Sequence, residues 1–196
     1  MTYRAFVLMT GSARGIEPWR LALGLLVTFL VMFGMGQALV AVAHAGLSQE
    51  RFESFLQMIA RADTPPGLLI TLFSMGAMAI GAGFAARLVH DRDPMTLLGP
   101  WRLLWRQFVL VTIALLVLTV GVSLLPPWSL FSGLERGLSP GLWFALLPLT
   151  LTALLVQCAS EEILFRGYLQ SQLAARFGHP AVWLLLPTAL FALGHW

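Results

Sequence analysis

Two adjacent carboxylates and an arginine follow a long uncharged run in this sequence. Residues 146–159 read LLPLTLTALLVQCA, and residues 160–170 continue with SEEILFRGYLQ. On a helix, Glu162 and Arg166 stand four residues apart with the acid first, which is the favourable order for an ion pair. Glu161 lies about 100° away from Glu162 around the helix axis. A carboxylate in apolar surroundings holds a proton more tightly than one in water, and this suits a general base. The alternative is that both acids lie just past the membrane edge as a solvated helix end.

His195, near the end of the sequence, and Glu161 are separated from a predicted turn by the same number of residues. The sequence FALGH ends at His195, and FGHP predicts a turn around Gly178, midway between Glu161 and His195. If residues 141–177 form one helix and the chain returns antiparallel, Glu161 and His195 lie level, each about 25 Å from the turn. One acid and one imidazole at a common depth are what a hydrolytic or metal site needs.

Prolines and small residues indicate how these helices pack. Pro187 cannot donate to the carbonyl of Trp183, which predicts a kink before His195, unless the proline is simply tolerated in a membrane helix. In an earlier apolar run, Ala77 and Gly81, and likewise Ala79 and Gly83, follow the small-xxx-small spacing of closely packed membrane helices.

The elements that hold these residues are predicted to be membrane helices. The chain is 58% hydrophobic and 11% charged, whereas a soluble domain carries about 25% charged residues. A water-soluble fold of 196 residues could not bury so much apolar surface. The sequence therefore predicts an all-α, polytopic helical membrane protein with about five transmembrane helices, each needing about 20 apolar residues. The predicted spans are roughly 21–45, 67–89, 107–125, 141–160 and 180–196.

The arginines predict the orientation of the chain. All 12 basic residues are Arg, as expected of a GC-rich bacterial gene. Nine of them fall in the N-terminus and in the second-to-third and fourth-to-fifth connections, against three elsewhere. The positive-inside rule therefore predicts a multi-pass protein of the cell (inner) membrane with a cytoplasmic N-terminus.

The arginines lie in the connections between apolar runs and so do not indicate a nucleic-acid-binding surface. We therefore expect no nucleic-acid partner. Residues 1–140 are predicted to be N-terminal transmembrane helices of undetermined role.

The two motifs together resemble those of a known family. E-E-x-x-x-R at Glu161, Glu162 and Arg166 is followed by F-x-x-x-H at Phe191 and His195. This pair is similar to the first two signatures of the CPBP intramembrane proteases. The family is also called the Abi family, and it includes the CAAX prenyl endopeptidases. Either motif alone would be a weak signal, but both together on consecutive apolar segments are fairly specific.

The resemblance implies an intramembrane endopeptidase. It identifies residues 141–196 as the N-terminal part of a CAAX-protease-like catalytic domain. In such an enzyme Glu161 activates the attacking water, while Glu162 and Arg166 brace the site. The resemblance gives His195 one of two roles. It binds a metal ion together with Glu161, zinc or another divalent metal, or it stabilises the oxyanion.

The resemblance also implies partners and a departure from the family pattern. The implied partners are membrane lipid and a membrane-associated peptide or protein substrate, which is prenylated in the eukaryotic members. The family's later motif, H-x-x-x-N, does not follow His195 within the 196 residues. We therefore expect these residues to be the front part of a longer protein, and the fragment alone to lack peptidase activity.

Other candidate metal ligands in the sequence are expected to have ordinary roles. A catalytic zinc usually has three protein ligands. Cys158, one turn before Glu161, is expected to be an inert membrane cysteine. His44, His90 and His179 lie near the ends of predicted spans, where we expect them to be solvated or interfacial.

Two other functions stay open on the residues alone. A non-catalytic member of the same family, such as a bacteriocin-immunity or scaffold protein, would use the acid pair for packing. A transporter or channel would use Glu161, Glu162 and His195 as a proton relay. Replacing Glu161 by glutamine would leave an immunity phenotype unchanged, and proton-coupled flux in liposomes would identify a transporter.

Overall fold

The structure is a computed structural model that describes residues 4–125 and 137–194. Every regular element within these ranges is helical, which confirms the predicted all-α fold class. The α-helices are α1 (Arg4–Thr10), α2 (Pro18–Gly46), α3 (Gln49–Arg61), α4 (Pro65–Ser74), α5 (Gly76–His90), α6 (Trp101–Leu124), α7 (Pro140–Glu162), α8 (Ser171–Arg176) and α9 (Leu186–Leu193). A 3₁₀ helix spans Pro94–Leu98, and π-helices span Ile163–Gln170 and Ala181–Leu185.

Two continuous helices carry the sequence motifs. Pro140–Arg176 joins α7, a π-helical segment and α8 without a break, and we call it the motif helix. Ala181–Leu193 joins the second π-helix to α9, and we call it the return helix. The motif helix ends before Phe177, whose backbone is extended (φ −109°, ψ 120°). The predicted turn around Gly178 is therefore confirmed.

Four helices in the described ranges are long and apolar enough to cross a membrane. They span Pro18–Gly46, Pro65–His90, Pro94–Leu124 and Pro140–Arg176. The described part of the return helix reaches only about 20 Å at 1.5 Å per residue, less than the roughly 30 Å of a hydrocarbon core. The protein is therefore a multi-pass membrane protein with four such helices among its described residues, where the sequence predicted about five.

Contacts divide the chain into two compact units, residues 1–98 with 149–196 and residues 99–148. In the second unit, α6 has no buried residue. Its apolar side chains are exposed all round, as expected of a helix whose solvent is lipid. The predicted functional boundary between residues 140 and 141 concerns activity rather than packing, and it stays a prediction.

The first unit is built on the close packing of α2 against α5. A Cβ at Gly81 would lie only 2.8 Å from the carbonyl oxygen of Thr28, so the two backbones approach this closely because residue 81 is glycine. Lipid provides no hydrophobic force between helices, and such close van der Waals contact takes its place. The predicted packing role of Ala77 and Gly81 is confirmed, since both are buried. Three further buried alanines continue this face: Ala82, Ala85 and Ala86.

A chain of buried hydrogen bonds joins α5 to the motif helix. Tyr168 is fully buried, and its hydroxyl lies 2.8 Å from Nε2 of His90. Nδ1 of His90 lies 3.0 Å from the carbonyl oxygen of Arg14 and 2.9 Å from that of Gly15. Carbonyl oxygens can only accept, so Nδ1 carries the imidazole proton and the Tyr168 hydroxyl donates to Nε2. The tautomer of His90 is thus determined by its partners.

Two further buried side chains strengthen this joint. Arg92 is 2% exposed, and it donates from Nη1 to Oγ of Ser171 at 2.8 Å. Its Nε donates to Oγ1 of Thr96 at 2.9 Å. Gln172, also buried, donates from Nε2 to the carbonyl oxygen of Arg14 at 3.2 Å. The segment before α2, the end of α5 and the C-terminal part of the motif helix therefore meet at one end of the first unit.

The sequence-based expectation for His90 was wrong. His44 and His179 are exposed, as expected for span ends. His90 is only 1% exposed. The reason is tertiary: the chain around Gly15 lies against the end of α5 and supplies the carbonyl oxygens that His90 needs inside the protein.

Gly81→Ala is expected to lower the free energy of unfolding by about 1–3 kcal/mol, because the added methyl group must displace the Thr28 backbone. Gly34 in α2 is the matched control, since an added Cβ there meets nothing within 4 Å. Alanine at that position should stabilise the helix by up to about 1 kcal/mol. Thermal unfolding in detergent micelles measures both variants, and equal midpoints would contradict the packing argument.

Tyr168→Phe is expected to cost about 1–3 kcal/mol of stability, because Nε2 of His90 would stay buried without a donor. The control Ser54→Ala removes an exposed hydroxyl that donates to the Glu50 carbonyl, and it should cost less than about 0.5 kcal/mol. In a His90→Leu background the tyrosine substitution should cost much less, because the acceptor is gone. Unfolding midpoints of the single and double variants test this. An equal cost in both backgrounds would show that the bond contributes nothing.

Candidate active site

The two glutamates stand where the motif helix changes its winding. α7 ends at Glu162, and Ile163–Gln170 is π-helical. π-Helices are rare, and they occur frequently at functional sites as short insertions in α-helices. The sequence motif EEILFRGYLQ therefore coincides with an irregular segment of an otherwise regular membrane helix.

Glu161 is half-buried on the motif helix. Its Oε1 accepts a hydrogen bond from Nε2 of Gln157, one turn earlier, at 3.2 Å. The neighbouring Ser160 is buried, and its hydroxyl donates to the carbonyl oxygen of Val156 at 2.6 Å. This hydrogen bond from a neutral amide helps to orient the Glu161 carboxylate.

The predicted ion pair between Glu162 and Arg166 is present. Nη1 of Arg166 pairs with Oε1 of Glu162, and both side chains are more than half exposed. An exposed pair contributes only about 0–1 kcal/mol to stability in water. Its more important effect is local, since the two formal charges cancel each other beside Glu161.

An aromatic contact sets the register between the motif helix and the return helix. The rings of Phe165 and Phe191 meet edge to face, with their centroids 5.2 Å apart. Each of these residues is 13 positions from Gly178 along the chain. The return helix therefore runs antiparallel to the motif helix in the symmetric register that the sequence predicted. His195 itself lies outside the described residues.

The return helix is irregular at its start. The π-helix Ala181–Leu185 comes immediately before the turn that contains Pro187. Pro187 has no N–H to give to the carbonyl of Trp183, and the residues just before it wind as a π-helix. The kink predicted before His195 stays a prediction. Pro187 is buried, and the Trp183 ring lies 5.8 Å from that of Phe6.

The motif helix beyond Arg166 is held by residues that the sequence did not single out. A Cβ at Gly167 would lie 2.5 Å from the carbonyl oxygen of Leu97, so glycine lets the 3₁₀ helix contact the motif helix. Tyr168 and Ser171 follow with buried bonds to residues 78 and 79 positions earlier in the chain. The one indication of these contacts in the sequence was the presence of polar side chains in an otherwise apolar helix. No spacing rule could identify their partners, because the partners are nearly 80 residues away in the sequence.

The described residues include one of the two predicted metal ligands. Of the two predicted ligands, Glu161 is described and His195 is not. Within residues 4–125 and 137–194, no three His, Cys, Asp or Glu side chains gather as a metal-binding group. Cys158 is exposed, and its expected lack of a ligand role stays a prediction.

Comparison with protein-family models places the motifs in a family. The model described as type II CAAX prenyl endopeptidase Rce1-like matches residues 142–196. The match begins in the first turn of the motif helix and includes both motifs. Searches of curated proteins and of solved structures found no match. The predicted family relationship is confirmed. Residues 142–196 of this membrane protein are therefore similar to the type II CAAX prenyl endopeptidases, a family of proteases.

Proposed function

We propose that the protein is an intramembrane endopeptidase that hydrolyses a peptide bond of a membrane-associated substrate. Glu161 is the residue that activates the attacking water. The observation that carries this proposal is the contact between Phe165 and Phe191, because it supports an alignment of the two motifs of a protease family on neighbouring antiparallel helices.

Helical spacing extends this register to the reactive side chains. Glu161 stands four residues before Phe165, and His195 stands four residues after Phe191. Residues four apart share one face of a helix. The symmetric spacing about Gly178 therefore predicts that His195 lies level with Glu161, and the contact of Phe165 with Phe191 supports this register.

Hydrolysis at this site requires a base and a stabiliser of negative charge. Glu161 takes a proton from water as the water oxygen bonds to the carbonyl carbon of the substrate. In the first of two possible roles, His195 stabilises the charge that develops on the carbonyl oxygen. The C–N bond then breaks, and Glu161 passes the proton to the leaving nitrogen. The apolar helices exclude bulk water, which makes each of these polar interactions stronger than it would be in solution.

A metal ion is the second role proposed for His195. His195 and Glu161 would hold zinc or another divalent ion, which when bound polarises the substrate carbonyl as a Lewis acid. The ion pair of Glu162 with Arg166 serves as a brace in either case. The ion pair restrains the helical turn that follows Glu161, and it adds no net charge to that turn.

The proposed site serves substrates on the cytoplasmic side of the inner membrane of a bacterial cell. Gln172 bonds to the carbonyl oxygen of Arg14, so the segment before α2 lies beside the end of the motif helix. His90 brings the end of α5 to the same place. These connections carry most of the arginines, which the positive-inside rule assigns to the cytoplasm. The proposed partners are membrane lipid and a peptide or protein substrate, prenylated as the family description indicates.

Glu161→Gln is expected to lower kcat by at least about 100-fold, because glutamine cannot take the proton from water. His195→Ala should cause a comparable loss. The assay follows cleavage of a fluorogenic prenylated peptide by the natural full-length protein in liposomes. Glu50→Gln, at an exposed position of α3, is the matched control and should keep full activity. Unchanged cleavage by Glu161→Gln would overturn the assignment, and no cleavage by the wild type would favour the non-catalytic role.

Thiol cross-linking tests the register without relying on activity. In a Cys158→Ala background, cysteines at Phe165 and Phe191 should cross-link readily, since their rings are in contact. Cysteines at Glu161 and His195 should cross-link at a similar rate with a short bifunctional thiol reagent. A pair at Glu161 and Leu184 is the control, because these positions are about 16 Å out of register. Cross-linking between positions 161 and 184, but not between positions 161 and 195, would refute the proposed geometry.

A further inference from the structure

A polar pocket lies at the end of the first unit where the segment before α2 meets the end of α5. Its volume is about 500 Å³. Its charged lining consists of Arg14, Arg87, Arg92, Asp91 and Asp93, and Ser12 and Thr96 add hydroxyl groups. Three arginines face two aspartates, so the pocket carries one formal positive charge in excess.

Arg92 is the buried charge of this pocket. Its guanidinium donates to Oγ of Ser171, to Oγ1 of Thr96 and, at 3.4 Å, to the carbonyl oxygen of Thr96. These acceptors are all neutral, and among the described residues no carboxylate lies within ion-pairing distance of Arg92. Burial lowers the pKa of Arg92, and nearby Tyr168 offsets this in part. A guanidinium stays charged nevertheless, so a buried positive charge stands here without a counterion, which is costly.

The other charges of the pocket leave room for an anion. Arg87 is paired with Asp91 at 3.3 Å, and both are exposed. Asp93 accepts a hydrogen bond from the backbone N–H of Met95. The side chain of Arg14 is exposed and makes no ion pair or hydrogen bond within the described residues; only its carbonyl oxygen is used. Arg14 can therefore turn to a ligand without breaking any bond of the fold.

The position of the pocket points to a phosphate. α2 begins at Pro18 and α5 ends at His90, and both belong to helices that can span the membrane. The pocket lies just beyond these two ends. If both helices cross a membrane, lipid phosphates are expected at this level. Juxtamembrane arginines on the cytoplasmic side attract anionic lipids. One excess positive charge matches the single negative charge of a phosphodiester.

We propose that this pocket binds a phosphate group between Arg14 and Arg92. The same chemistry is offered by an anionic lipid headgroup and by a soluble phosphate. Because Arg92 also bonds to Ser171 on the motif helix, a bound phosphate holds in place the joint between α5 and that helix. The site is separate from Glu161, and the proposal does not depend on proteolytic activity.

Two substitutions change the pocket's charge in opposite directions while preserving the fold. Arg14→Gln removes a charge but keeps the carbonyl oxygen that His90 and Gln172 require. It should weaken phosphate binding about five-fold, on the scale of about 1 kcal/mol per arginine near a membrane surface.

Asp91→Asn removes an acid and releases Arg87, so it should strengthen phosphate binding by a similar factor. Asp91 has φ +48°, a left-handed conformation that asparagine adopts readily. Arg61→Gln is the charge-matched control, since Arg61 is exposed and does not line the pocket.

The experiment titrates two probes into the protein in an uncharged, phosphate-free detergent and follows the unfolding midpoint. One arm uses short-chain phosphatidylglycerol, and the other uses inorganic phosphate against chloride at equal ionic strength. A saturable rise that weakens in Arg14→Gln, strengthens in Asp91→Asn and persists in Arg61→Gln supports the site. Such a response to phosphatidylglycerol alone identifies a lipid headgroup, and a response to both probes identifies phosphate itself. No rise with either probe, or the same response in all variants, would overturn the proposal.

Discussion

A polar group buried inside a membrane protein has to find its partner within the protein, because lipid offers none. This constraint explains the end of the first unit, where His90, Arg92, Tyr168 and Gln172 are all almost fully buried. Each of them makes a hydrogen bond to another part of the chain, although Oε1 of Gln172 has no hydrogen-bond partner among the described residues. An unpaired group of this kind would cost roughly 1–3 kcal/mol. The segment before α2, the end of α5 and the motif helix are therefore bound to one another.

Small residues make this joint possible. An added Cβ at Gly24 would collide with the hydroxyl of Tyr168, and one at Gly81 would press on the Thr28 backbone. Gly167 allows the same kind of approach to the carbonyl oxygen of Leu97. The glycines thus let backbones come close enough for the polar side chains to reach their partners. Packing and hydrogen bonding support each other here, so a change in one weakens the other.

The motif EEILFRGYLQ combines two kinds of residue. Its first six residues include the acid pair and Arg166, which are half-buried or exposed. Its second half carries Gly167 and Tyr168, which are anchored to the rest of the first unit. The π-helical winding begins between Glu162 and this anchor. The proposed base Glu161 is therefore attached to a helix whose position is set a few residues later by the buried network.

The sequence alone determined the features that depend on local spacing. These are the apolar helices, the end of the motif helix near Gly178, the ion pair of Glu162 with Arg166 and the antiparallel register seen at Phe165. Such features follow from helical geometry and from the hydropathy of neighbouring residues. Only the tertiary structure decided that His90 is buried rather than interfacial. It also showed that Arg92 has no acidic partner among the described residues and that Tyr168 donates to a histidine from another helix. The physical reason is that these bonds join residues nearly 80 positions apart, and their formation depends on backbone contacts that no local pattern records.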